Sequence, residues 1–220
     1  GAQFVTCAGM VIAAFVSIVL FFDVVLDSDP RTVMLATWMT AGDFSVNWAL
    51  RIDQLTVVMM CVVNIVSACV HFYSVGYMGH DPCRARFMSY LSLFTFAMLM
   101  LVTSDNLLQL FFGWEGVGVA SYLLIGFWNH KHSANSAAVK AFVVNRVGDF
   151  GLALGVMATF WIFGSVQFDA IFDKAPDLAQ TNFMFMGYQV HALTLICLLL
   201  FVGACGKSAQ LGLHTWLPDA

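Results

Sequence analysis

Charge is scarce in this sequence: 10% of its 220 residues are Asp, Glu, Lys or Arg, where a soluble domain usually carries about a quarter. Glutamate is almost missing, with one copy at Glu115. Combined with 60% hydrophobic residues and a mean hydropathy of +0.84, this excludes an ordinary soluble domain and marks a membrane chain. Nine Lys/Arg against thirteen Asp/Glu give a formal charge of −4 and no basic face, which excludes nucleic-acid binding. No repeat and no Pro/Ser-rich linker interrupts the chain, so it reads as a single transmembrane domain over 1–220. The six cysteines (Cys7, Cys61, Cys69, Cys83, Cys197, Cys205) include no CxxC, and all but Cys83 lie in apolar stretches. That pattern favours small packing residues over a metal or disulfide framework. There is no phosphate loop, GxGxxG, nucleophile triad or metal-ligand cluster, so no cofactor or metal site is expected. The chain opens on Gly1 without an initiator Met or signal pattern, and the expectation is that part of a longer protein is missing.

Long apolar runs are what the sequence does have. Six are expected to cross the bilayer: Cys7 to Leu26, Leu55 to Tyr77, Phe87 to Thr103, Leu107 to Trp128, Ala137 to Phe163 and Val190 to about Leu213. Each approaches the roughly 20 residues that span a core of about 30 Å. The runs are continuous, so they are helices and not barrel strands, and the fold class is an all-α membrane bundle. After Gly42-Asp43, the alternation of Phe44, Val46, Trp48 and Leu50 with Ser45, Asn47 and Ala49 predicts a short extramembrane strand or hairpin. The stretch Phe163 to Gln189 reads as a solvated connection, with Asp169, Asp173 and Asp177 spaced by four. Arg84, Arg86, Lys131 and Lys140, with His130 and His132, fall on one side, which the positive-inside rule makes the inside. Arg31, Arg51 and Lys174 fall opposite, among Asp27, Asp29, Asp43, Asp53, Asp105, Asp169, Asp173 and Asp177. Trp38, Trp48, Tyr73, Tyr77, Trp128 and Trp161 lie near helix ends as interfacial anchors.

Four charges sit well inside the spans: Glu115, Arg146, Asp149 and Lys207. A lone ionised group near the bilayer centre costs about 2.5–3.5 kcal/mol on insertion scales, so each needs a partner or a hydrated cavity. Glu115 lies about 12 Å along its helix, within Gly113-Trp114-Glu115-Gly116-Val117-Gly118, where glycines admit a close neighbouring helix. It is either a proton-carrying group or a carboxyl hydrogen-bonded between helices. Arg146 and Asp149 are three apart on one helix face, with Asn145 four before Asp149; a local ion pair is available, structural or functional. Lys140 is placed to snorkel to the inside surface or to feed the same relay. Around Lys207, the residues Gly206, Ser208, Gln210, Gly212, His214 and Pro218 interrupt an apolar run, which suggests a broken helix lining a cavity. A snorkelling lysine at a helix end is the other reading. His71, His80, His130, His132 and His191 fall near expected helix ends or in loops. A carboxylate, a lysine and an ion pair on three helices are the parts of a proton relay.

The segments Phe112 to Gly118 with Ala120 to Leu124, then Val144-Asn145-Arg146-Val147-Gly148-Asp149-Phe150-Gly151, then Gly206 to Ala220 carry a resemblance. The chain resembles the chain 5 family of NADH:ubiquinone oxidoreductase, the distal antiporter-like membrane subunits of respiratory complex I. The likeness runs over nearly the whole chain and is weakest before Asp53. It implies that Glu115 and Lys207 are the coupled carboxylate and lysine of one half-channel, that Arg146 and Asp149 adjoin them, and that His214 matches the histidine after the break. It implies no cofactor on this chain, with NADH, FMN, iron–sulfur clusters and ubiquinone held by other subunits. The implied partners are other complex I membrane-arm subunits and lipids, and the implied location is the inner mitochondrial membrane, or else a bacterial plasma membrane. The family's first helix and C-terminal half are absent, from which a split subunit completed by a separate chain is expected. The competing expectations are a subunit of a multisubunit sodium/proton antiporter and a structural membrane piece with a dead channel.

Overall fold

The computed structural model describes residues 1–220 except Ser28, Asp29, Asp43 and Met186, and the side chains of Asp27 and Phe185. The expected Gly42-Asp43 turn and the loop position of Asp29 therefore lie partly outside the described residues. In chain order the elements are α1 (Ala2–Asp27), β1 (Arg31–Ala41), β2 (Phe44–Ile52), α2 (Gln54–Tyr77), α3 (Arg84–Val102), α4 (Leu107–Ile125), α5 (His132–Phe163), α6 (Phe168–Lys174), β3 (Asn182–Phe185), β4 (Tyr188–His191) and α7 (Ala192–Lys207). Helices α1 to α5 are each long and apolar enough to cross a membrane. This is the helical bundle with a short extramembrane hairpin that the apolar runs predict.

Two details depart from those expectations, and one of the alternatives left open is decided. The sixth run gives only the 16 residues of α7, about 24 Å at 1.5 Å per residue and short of a full crossing. It ends at Lys207 because Ala209 takes the left-handed conformation (φ 48°) and turns the chain. The Gln210 amide then donates to the Cys205 carbonyl and the Ala209 amide to Gly206, the paired bonds of a Schellman cap, in which alanine stands where glycine is usual. The strand or hairpin expected at 44–50 is a hairpin, in which β2 pairs antiparallel with β1. The connection after Phe163 is not purely a loop: it holds α6 and a second hairpin, β3 with β4.

Contacts between neighbours show that successive long helices run antiparallel. Asn64 meets Ser17 and Ala13 while Ser67 reaches Met10 across α1 and α2, and Tyr122 meets Phe142 edge to face while Trp114 reaches Asp149 across α4 and α5. Bare backbone sets the closest approaches. A Cβ on Gly113 would lie 2.5 Å from the Leu101 nitrogen of α3, and one on Gly148 would lie 3.0 Å from the Gly206 Cα of α7. Glycine at these positions lets α4 close on α3, and α7 on α5, with no side chain between them.

The hairpin β1–β2 closes one end of the bundle. Buried Gln109 acts as an extra strand partner, donating to the Ala49 carbonyl at 2.7 Å and accepting from its amide at 3.2 Å. Asn106 caps α4 through the Gln109 amide and donates to Asn47 at 2.9 Å. On the same end Arg51 reaches Asp53, Asp105 and Asp169 at 3.0, 3.5 and 2.7 Å, tying β2 to α2, to the α3–α4 turn and to α6. Burial works against ionisation of Asp53, yet the Thr56 amide and the Arg51 guanidinium hold its carboxyl below the ordinary range. Burial pushes the Asp105 carboxyl up, against the Arg51 charge.

These opposite directions carry a signed prediction. A depressed carboxyl stabilises the fold above its unfolded-state pKa and loses that contribution as pH falls through its folded value. Asp53→Ala also removes the α2 N-cap, in which Asp53 accepts from the Thr56 amide at 2.8 Å. It should cost about 1 kcal/mol at neutral pH, and the deficit against wild type, measured by thermal unfolding in detergent, should narrow on acidification.

Candidate functional site

The charged residues expected inside the spans converge where α4, α5 and α7 meet. Trp114 and Glu115 come from the glycine-rich turn of α4, Arg146 and Asp149 from the middle of α5, and Lys207 from the last turn of α7. Lys207 reaches this depth because Gly148, Gly203 and Gly206 bring the two helices together. Gly118 of α4 completes the pocket: a Cβ there would lie 2.6 Å from the Lys207 Nζ.

Glu115 forms its ion pair with Arg146 across the α4–α5 interface. The same guanidinium lies 3.8 Å from Asp149 and rests 4.5 Å from the Phe142 ring centroid, a cation–π contact. Asp149 is buried, accepts a 2.7 Å hydrogen bond from the Trp114 indole, and lies 3.8 Å from the Lys207 amine. The charges alternate as Glu115, Arg146, Asp149, Lys207 on three helices. The i, i+3 pair on α5 is present but loose, and the tighter partner of Arg146 is Glu115 on the neighbouring helix. Lys207 makes no ion pair within 4.0 Å with Glu115 among the described residues; the two communicate through Arg146 and Asp149.

Two buried polar atoms here have no hydrogen-bond partner among the described residues: the Lys207 Nζ and the Asn145 Oδ1. Both residues line a cavity of about 10 Å³ together with Ser121 and Tyr122, about the space one water needs. A buried amine 3.8 Å from a carboxylate, beside such a cavity, can exchange a proton with it through one bridging molecule.

Two other expected site residues stand apart from this cluster. Lys140 pairs with Asp219 at 2.6 Å on the exposed end of the bundle, so its charge is answered by the C-terminal segment and it does not reach the relay. His214 is exposed and accepts from the Gly212 amide at 3.3 Å. Trp114 and Trp216, the latter donating to the Gly206 carbonyl at 3.2 Å, are polar contacts of the site that the charge count alone missed. Trp114 is adjacent to Glu115 in sequence, which is a signal that could have found it; Trp216 lies nine residues beyond Lys207 and carries no such signal. The six thiols are free; only Cys7 is buried, and Cys69 and Cys197 are exposed.

Residues 104–220 match the family described as NADH:quinone oxidoreductase/Mrp antiporter, TM, and residues 38–88 match NADH-Ubiquinone oxidoreductase (complex I), chain 5 N-terminus. NADH-ubiquinone oxidoreductase chain 5 of Chondrus crispus is 53% identical over 211 residues, covering 96% of this chain and 32% of the relative. NADH-quinone oxidoreductase subunit L of Rhodobacter capsulatus is 54% identical, covering 100% of this chain and 32% of the relative. The chain thus spans about a third of the length of these relatives. Among solved structures, a chain of the archaeal membrane-bound sulfane sulfur reductase superposes with a TM-score of 0.81 at 16% identity, over 99% of this chain and 41% of that one. A chain of the Mrp complex from Dietzia sp. gives 0.74 at 22% identity, over 100% and 25%. At those identities the superpositions speak to the fold alone.

Proposed function

The chain belongs to the NADH:quinone oxidoreductase/Mrp antiporter transmembrane family, and from that premise we propose that it forms one proton half-channel of a redox-driven NADH:quinone oxidoreductase. The observation that carries this reading is the series Glu115, Arg146, Asp149, Lys207, ending in a buried amine without a hydrogen-bond partner among the described residues. In a low-dielectric setting each charge depends on its neighbour, so a proton gained or lost at one end shifts the balance at the next. With Arg146 drawn to Glu115, Asp149 faces Lys207; with Arg146 drawn to Asp149, Glu115 is released. Alternation between these pairings couples the charge of Glu115 to that of the Asp149–Lys207 pair; Arg146 keeps its proton throughout and acts as the electrostatic link, and the proton that moves is the one exchanged between the Lys207 amine and the Asp149 carboxylate. The hydride, flavin, iron–sulfur and quinone chemistry belongs to other subunits, and the remaining helices of the family belong to whichever polypeptide carries them.

The family description covers oxidoreductases and antiporters alike. The relatives at 53 and 54% identity, named as oxidoreductase chain 5 and subunit L, support the redox-driven role over a sodium/proton antiporter. The same relatives support an inner mitochondrial or bacterial plasma membrane location, among other membrane-arm subunits.

Glu115→Gln tests the proposal. In proteoliposomes holding the whole assembly, proton uptake per NADH oxidised should fall while assembly stays intact. Unchanged uptake in the assembled variant overturns the assignment.

A further inference from the structure

Asp149 is the most enclosed charge of the series: 5% of its side chain is exposed, against 17% for Lys207, 23% for Glu115 and 39% for Arg146. Its two cations stand off. The Lys207 amine lies 3.8 Å from Oδ1 and the Arg146 guanidinium 3.8 Å from Oδ2, both beyond hydrogen-bond length. The only hydrogen bond to this carboxylate among the described residues comes from the Trp114 indole, 2.7 Å from Oδ1. Trp114 therefore touches the same oxygen that faces Lys207.

The other two indole bonds among the described residues are of another kind. Trp216 donates to the Gly206 carbonyl at 3.2 Å, and Trp128 donates to Asp81 in a loop at 3.1 Å. Bonds of that length satisfy an indole whose ring is packed elsewhere. The Trp114 bond is shorter, within the range of charge-assisted hydrogen bonds, and its acceptor is a buried member of the charged series. An indole N–H donates and never accepts. It favours the ionised carboxylate over the carboxyl, because it binds the charged form more strongly, and it cannot itself carry the proton.

Trp114 and Glu115 are consecutive on α4, and their partners Asp149 and Arg146 are three apart on α5. While Glu115 holds Arg146, the guanidinium stays 3.8 Å from Asp149. The indole is then the one donor in direct contact with that carboxylate among the described residues.

We infer that Trp114 is the positioning residue of the proton exchange: its indole fixes Asp149 with Oδ1 toward the Lys207 amine and keeps the proton on Lys207 while Glu115 holds Arg146. When the exchange runs, an N–H bond of the Lys207 ammonium breaks and an O–H bond forms on Asp149, the bridging molecule taking one proton and giving one. The ammonium becomes an amine and the carboxylate a carboxyl. Trp114 sets where the proton rests and carries none itself. The inference rests on the half-channel reading above.

The test uses the whole assembly in proteoliposomes. Trp114→Phe keeps an aromatic ring and loses the donor, whereas Trp114→Gln loses the ring and keeps an N–H donor. Proton uptake per NADH oxidised should fall at least about threefold in Trp114→Phe, because hydrogen bonds to charged groups are the strong ones. Trp114→Gln should retain at least twice the uptake of Trp114→Phe. A smaller margin, or the reverse order that packing alone would give, overturns the inference. Infrared spectroscopy of the resting assembly reads the carboxyl directly. Trp114→Phe should show a protonated carboxyl band that wild type lacks and that shifts on isotopic labelling of aspartate carboxyls; its absence contradicts the inference. Should Trp114→Phe fail to assemble, Trp114→Gln decides alone: at least half of wild-type uptake supports the inference and less overturns it. Wild-type uptake in Glu115→Gln removes the underlying half-channel reading instead, so the two failures are distinguishable.

Discussion

Arg146→Leu is expected to be the most damaging single replacement in the chain, lowering stability by about 3 kcal/mol. Removing one partner of a buried ion pair typically costs about 3–5 kcal/mol, because the other charge is left uncompensated. Here two carboxylates lose their shared cation, Glu115 on one helix and Asp149 on the other. The low end of the range applies because 39% of the Arg146 side chain is exposed. Thermal unfolding in detergent and the yield of assembled protein report the loss. Glu115→Gln in the same chain removes one of the two stranded charges, so the double variant should recover at least about 1 kcal/mol relative to additivity, the size of coupling expected for residues in contact. Strict additivity would mean that the ion pair contributes nothing.

Gly118→Ala should produce the largest functional loss with the smallest structural one. The added methyl would lie 2.6 Å from the Lys207 amine and otherwise 4.0 Å from its Cε. The obstacle is the far end of a flexible side chain, so the fold yields by moving the amine. Alanine is also the better helix former by about 1 kcal/mol, so stability should hold or rise slightly. The displaced amine leaves its 3.8 Å position beside Asp149, and proton uptake per NADH oxidised should drop severalfold. Gly113→Ala is the contrasting control. Its methyl would meet the Leu101 backbone at 2.5 Å, which cannot step aside, so that variant should fail in stability and not selectively in transport.

The spans and the four interior charges are legible in the sequence because both rest on one quantity, the cost of placing a residue in hydrocarbon. Continuous apolar runs announce α1 to α5, and Glu115, Arg146, Asp149 and Lys207 stand out against them. The break after Lys207 is legible too, in Gly206, Ser208, Gln210 and Gly212. Which charge meets which is not legible. Spacing along α5 favours an Arg146–Asp149 pair, yet Arg146 turns to Glu115, because helix rotation and the close approach at glycines decide the pairing. Strands β3 and β4 have four residues each, too few to show a period of two. His71 reads in the sequence as a residue near a helix end; only the packing of α3 across it encloses the ring.

The most direct measurement of a proton moving at Glu115 is infrared difference spectroscopy of the whole assembly, resting against turning over, in wild type and Glu115→Gln. A carboxyl band that appears or vanishes with turnover in wild type and is absent from the variant is the predicted result. Identical difference spectra from the two proteins would mean that the Glu115 carboxyl keeps one protonation state throughout, and would contradict the account.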